Sequence, residues 1–161
     1  MNQTHVHLMV THLPILGPFF GAIVLGYGIR MGSSTTKKAA YILFILSAVG
    51  AVISYLTGEA AEETIKEIIT STENTIEPHE EFAVYALSSL ILLGILSSIG
   101  LLVKFKSRTV SRNLAVAILT LSLMSFAMMA WTGYLGGKIR HTELQKQPVT
   151  IPENQDPDQT R

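Results

Sequence analysis

An all-α integral membrane four-helix bundle, made of two hairpins with both termini on the outer side, is the fold the sequence predicts. Three observations predict it. Four apolar runs, at about 13–29, 39–58, 82–103 and 114–137, each come close to the roughly 20 residues that a helix needs to cross a bilayer. Charged residues make up only 15% of the 161 residues, against about 25% in an ordinary soluble domain. The connections between the runs alternate in charge. Arg30, Lys37 and Lys38 follow the first run, and Lys104, Lys106, Arg108 and Arg112 follow the third, with no acid in either. The middle connection carries eight glutamates, Glu59 to Glu81, against Lys66 alone. The positive-inside rule places the two basic connections in the cytoplasm, so the termini and the acidic connection face outward. For a bacterial chain, that means a multi-pass protein of the inner (cytoplasmic) membrane.

Span one holds Pro14, Gly17, Pro18, Gly21, Gly26 and Gly28. Pro14 fits the first helical turn, where its missing N–H costs little. Pro18 is expected to kink the helix or leave a carbonyl of the preceding turn unbonded. The glycines permit the close helix approach that packs spans inside lipid. Span two is expected to run on past the membrane to about Ile69, because Ala61, Ile65, Ile68 and Ile69 keep helical spacing. A turn through Thr70–Thr75 follows, and Glu77-Pro78 reads as the start of the third helix, with Glu80 and Glu81 at its positive end. Span four ends in Gly133, Gly136 and Gly137, with Trp131 and Tyr134 placed for the aromatic belt. The membrane domain therefore covers 1–142, with an acidic helical outer loop at 59–81. The proline-bearing polar tail, 143–161, reads as disordered.

Composition also excludes. A net charge of zero gives no ground for a nucleic-acid partner. The absence of cysteine removes disulfides, thiolate metal sites, iron–sulfur ligation and cysteine-linked haem. With Arg30 as the first basic residue, no cleaved signal peptide is expected. No nucleophile–base pair, phosphate loop or nucleotide fingerprint is present, and the serines inside the spans are expected to bond to helix carbonyls.

Histidine is the residue type that stands out. His5, His7 and His12 precede or enter span one, His79 opens span three, and His141 follows span four, so all five fall in the outer layer. Eighteen residues separate His12 from Arg30, about 27 Å along a helix, which puts them near opposite surfaces. Glu59, Glu62, Glu63, Glu80 and Glu81 share the layer of the histidines. Singly, such residues meet water and headgroups; together they have the donor chemistry for a site. Imidazole with carboxylate suits zinc, iron, nickel, copper or manganese. Imidazoles on facing helices suit a b-type haem. A His–Glu layer that handles protons is a third option, although no charge in mid-span marks a pathway. Met124, Met128 and Met129 at helical spacing read as packing rather than copper ligands. A faint repeat relates the hairpins: each opens on a histidine (His12, His79) and returns to a Thr-Gly pair (Thr57-Gly58, Thr132-Gly133).

The segments HLMVTHLPI, TGEAAEE, EPHEEFA and TGYLGGKIRH together resemble a bacterial family of four-span membrane proteins, the domain of unknown function numbered 2231. The resemblance covers about residues 5–142. It implies histidines of one kind at His7 and His12, at His79, and at His141 after Gly136-Gly137. Some relatives are fused to Rieske iron–sulfur domains, which implies a redox setting.

The expectation that follows is a membrane protein whose outer, periplasmic face binds haem b or a transition metal such as zinc or iron. It would act in electron transfer or metal handling rather than as an enzyme with its own organic substrate. The ligands are drawn from His7, His12, His79 and His141, with Glu59, Glu63 and Glu80 as further ligands or orienting groups. Expected partners are the lipid bilayer, a redox or periplasmic protein, and further copies of the chain. The alternative is a non-catalytic assembly subunit whose histidines and acids dock a periplasmic protein.

Overall fold

The computed structural model describes residues 9–68, 73–103 and 107–140, without the side chains of 59–68, 73–77, 108 and 138–140. Four helices account for nearly all of this: α1 (His12–Arg30), α2 (Ser34–Ile68), α3 (Glu73–Leu102) and α4 (Arg108–Arg140). Each packs on two others, α1 and α3 against both α2 and α4, so the bundle closes as a ring of antiparallel neighbours. The apolar stretches suffice to cross a membrane at His12–Arg30, Ser34–Gly58, Pro78–Leu102 and Thr109–Gly137. The chain is an all-α four-helix bundle and a multi-pass membrane protein.

The surface fits that assignment. Leu102, Leu56, Met124 and Ile23 are each more than half exposed, although the spans are built of little else than apolar residues. Such a surface is stable only where the solvent is itself hydrocarbon. The core is slim: Leu25, Phe44, Leu90, Leu93, Ala115 and Ile118 form its centre. Without a hydrophobic drive between helices in lipid, closeness of fit must hold them together. Small residues supply it. A side chain at Gly21 would run into the Phe44 ring, and one at Gly17 into the Ser47 hydroxyl. A Cβ at Gly50 would lie 2.9 Å from that of Leu13, and one at Gly100 2.8 Å from the Tyr41 ring. Gly17, Gly21 and Gly28 of span one therefore seat α2.

The turn between α1 and α2 is short and specified. Gly32 takes a left-handed φ of 65°, and Ser33 returns its N–H to the Gly28 carbonyl at 3.0 Å. This is the glycine-ended helix stop, which satisfies carbonyls that the last turn leaves bare. Ser33 then caps α2, its hydroxyl oxygen accepting from the Thr36 N–H at 3.2 Å and the Thr36 hydroxyl at 2.8 Å. Ser107 stands at the start of α4, where its carbonyl accepts from the Ser111 N–H at 3.2 Å.

Three sequence expectations are sharpened. Pro14 does lie in the first turn of α1, and Pro18 is accommodated inside a continuous helix, both fully buried. The extension of α2 beyond the membrane is present, ending at Ile68. The third helix, however, begins at Glu73 rather than at Glu77-Pro78, so Pro78 is internal. The N–H it lacks would have met the Asn74 carbonyl, in the opening turn, where water can take its place. The expected turn at Thr70–Thr75 thus yields its last three residues to helix, and Ile69 to Thr72 lie outside the described residues. So does the expected disordered tail, 143–161.

Candidate histidine site

Antiparallel packing brings four helix ends together at the end opposite the basic turns: the starts of α1 and α3 and the ends of α2 and α4. The contacts fix the level. Leu13 and Pro14 of α1 abut Gly50, and Ile15 reaches within 3.7 Å of where a Cβ on Gly133 would stand. His79 of α3 reaches Gly136, four residues from Thr132 on the same face of α4. The first turn of α1 and the imidazole of His79 therefore meet the same stretch of α4.

His79 is the best-defined group of the layer. It is half-buried, and its Nδ1 lies 3.0 Å from the Thr132 carbonyl oxygen. A carbonyl has no proton to give, so Nδ1 must donate. In the neutral ring that sets the tautomer and makes Nε2 the basic atom. The seat is written into the sequence of α4. Thr132 is buried at 6% exposure, and its hydroxyl donates to the Met128 carbonyl at 2.9 Å. Gly136 sits one turn on, where a larger residue would press on the ring. A Cβ there would stand 3.1 Å from His79 Cε1 and 3.4 Å from Nδ1. The glycine is what lets the ring come this close to the helix.

Comparison with protein-family models, with curated proteins and with solved structures finds no match.

The other sequence candidates are distributed unevenly. His12 is exposed at the first position of α1, and Glu80 and Glu81 are exposed beside His79. His7 and His141 lie outside the described residues, and so do the side chains of Glu59 and Glu63, whose backbone belongs to α2. Among the described residues no group of three or more His, Cys, Asp or Glu side chains is placed to hold a metal ion. Of the methionines, Met129 lies against the core and Met124 is 58% exposed. Within the second hairpin His79 meets Thr132, and in the first Leu13, next to His12, abuts Gly50, seven residues before Thr57.

Around the seat lies a group of rings that the sequence had indicated only in part. Phe82 stacks towards Tyr85 and Trp131, and Trp131 towards Tyr134, with centroids 5.5 to 6.4 Å apart. All four are more than a third exposed, as anchors at the headgroup level should be. Phe82 was hidden from sequence reasoning because it belongs to a different helix from Trp131.

Proposed function

We propose that this chain is a membrane protein of the bacterial inner membrane, akin to the domain of unknown function 2231, that binds haem b or a transition metal at its outer, periplasmic end. The ligand at the centre of the reading is His79 through Nε2. His12, His7 and His141 complete the set, with Glu59, Glu63 and Glu80 as further ligands or as acceptors that orient the imidazoles. The observation that carries it is the Nδ1–H of His79 donated to the Thr132 carbonyl at 3.0 Å. A ring whose Nδ1 proton is fixed on a backbone carbonyl has a set tautomer and orientation, as metal-binding histidines do. The absence of cysteine agrees with an imidazole and carboxylate donor set. The role that follows is electron transfer or metal handling, without an organic substrate.

The test is a reduced-minus-oxidised visible spectrum of the purified full-length protein, with metal analysis of the same sample. A b-type spectrum, or stoichiometric zinc or iron, lost in both His79→Ala and His12→Ala supports the reading. Neither haem nor metal, in protein expressed with both supplied, overturns it and leaves an assembly subunit that docks a periplasmic protein.

A further inference from the structure

At the other end of the bundle, a groove of about 500 Å³ runs along the seam between α2 and α3. Its floor is a close approach of the two helices, where a Cβ on Gly94 would stand 2.7 Å from that of Ala48. Its walls are β-branched: Ile45, Val49 and Val52 on one side, Ile91, Ile95 and Val103 on the other. Ser98 also lines it, but its hydroxyl is turned back onto the Gly94 carbonyl at 2.8 Å, so the groove is apolar along its length. From Val103 to Ile91 is twelve residues, about 18 Å of helix, a little more than half of the roughly 30 Å hydrocarbon thickness. The groove has the depth of one leaflet.

Its open end is positive. Lys38 is exposed and stands seven and fourteen residues before Ile45 and Val52, on the same stripe of α2. The first turn of α2, just before it, holds no acid to offset the positive end of the helix dipole. The two connections at this end of the bundle carry seven Lys and Arg residues and no Asp or Glu.

We propose that this groove is a binding site for an anionic phospholipid of the cytoplasmic leaflet. One acyl chain lies between α2 and α3, with the phosphate at Lys38 and the start of α2. The length argues for a lipid over a second copy of the chain, whose spanning helix would need contact through both leaflets. Basic residues at the mouth of an interhelical groove select acidic headgroups by charge. The proposal needs only the membrane-spanning bundle and is independent of the haem or metal reading.

The experiment uses the full-length protein in vesicles of phosphatidylcholine with a trace of spin-labelled lipid, and measures the motionally restricted fraction. Labelled phosphatidylglycerol is expected to associate roughly fivefold more strongly than labelled phosphatidylcholine, the contribution of about one lysine near the surface. Lys38→Gln should abolish that preference, and Val49→Trp, which fills the groove from an exposed position, should lower the association of both lipids. Equal association of the two lipids with the unaltered protein overturns the proposal without recourse to any variant. So does a preference that survives both substitutions. Because the chain has no cysteine, Val49→Cys gives a clean probe of a second copy: efficient disulfide cross-linking in the membrane would show the groove covered by protein, and would also overturn it.

Discussion

His79 and Thr132, fifty-three residues apart in the chain, are joined across the seam of α3 and α4 by an imidazole N–H donated to a helix carbonyl at 3.0 Å. The ring reaches that carbonyl past Gly136, where an added Cβ would stand 3.1 Å from His79 Cε1. Replacing Gly136 by valine should push the ring off its seat. The lost hydrogen bond amounts to about 1 kcal/mol, and overpacking adds a further 1–3 kcal/mol. Gly137, where an added Cβ meets nothing within 4 Å, should accept alanine with no loss. Thermal unfolding of the two variants in detergent checks the contrast. Imidazole nitrogen chemical shifts should show His79 losing its fixed tautomer only in Gly136→Val.

The seam of α1 and α2 permits a similar comparison. Gly21→Ala drives a methyl group into the Phe44 ring, which is fully buried and cannot retreat, and should cost about 1–3 kcal/mol. Gly26→Ala, five residues further along the same helix, faces open space and should be neutral or slightly stabilising. Unfolding by denaturing detergent would rank them. Equal losses would show that helix propensity, not contact, decides.

Two hydroxyls break the pattern of the buried serines. Ser47 and Ser122 donate to the carbonyls of Leu43 and Leu119, at 2.7 and 2.8 Å, while the Ser97 and Ser125 hydroxyls are buried without a partner. An unmet buried hydroxyl costs about 1–3 kcal/mol, so Ser97→Ala and Ser125→Ala should raise stability. Ser47→Ala should instead lower it by about 0.5–1.5 kcal/mol. Should Ser97→Ala prove clearly destabilising, its hydroxyl holds an internal water.

The turn at the basic end predicts two further losses. Gly32→Ala forces a side chain into a left-handed φ of 65°, at about 1–2 kcal/mol. Ser33→Ala removes the cap of α2, at about 1 kcal/mol. As the two residues share one turn, the double variant should fall short of the sum, which a double-mutant cycle measures.

Much of this architecture could be read from the chain. The four spans follow from apolar length alone, and the extension of α2 from the spacing of Ala61, Ile65 and Ile68. Gly17, Gly21 and Gly28 were legible as packing positions, because lipid leaves helices few other ways to associate, but Gly26, read the same way, meets nothing within 4 Å. Partners were not legible: nothing local says that Gly21 faces Phe44, or that Gly136 faces His79. The start of α3 was misplaced because proline reads as a helix beginning, whereas an opening turn in water tolerates it inside. At the site, the sequence put His12 and His79 on equal terms. The structure defines a seat for His79 on α4 and places His12, exposed, at the first position of α1.

Only Met31, Gly32 and Ser33 stand between α1 and α2, and their hydrogen bonds admit little slack. The first span is also the less hydrophobic of the pair, with a mean hydropathy of 1.5 against 2.2. A hairpin closed by so short a turn is expected to insert as a pair during synthesis, with the more hydrophobic α2 assisting α1. The glycines that fit α1 to its neighbour would then bear on biogenesis as well as on stability.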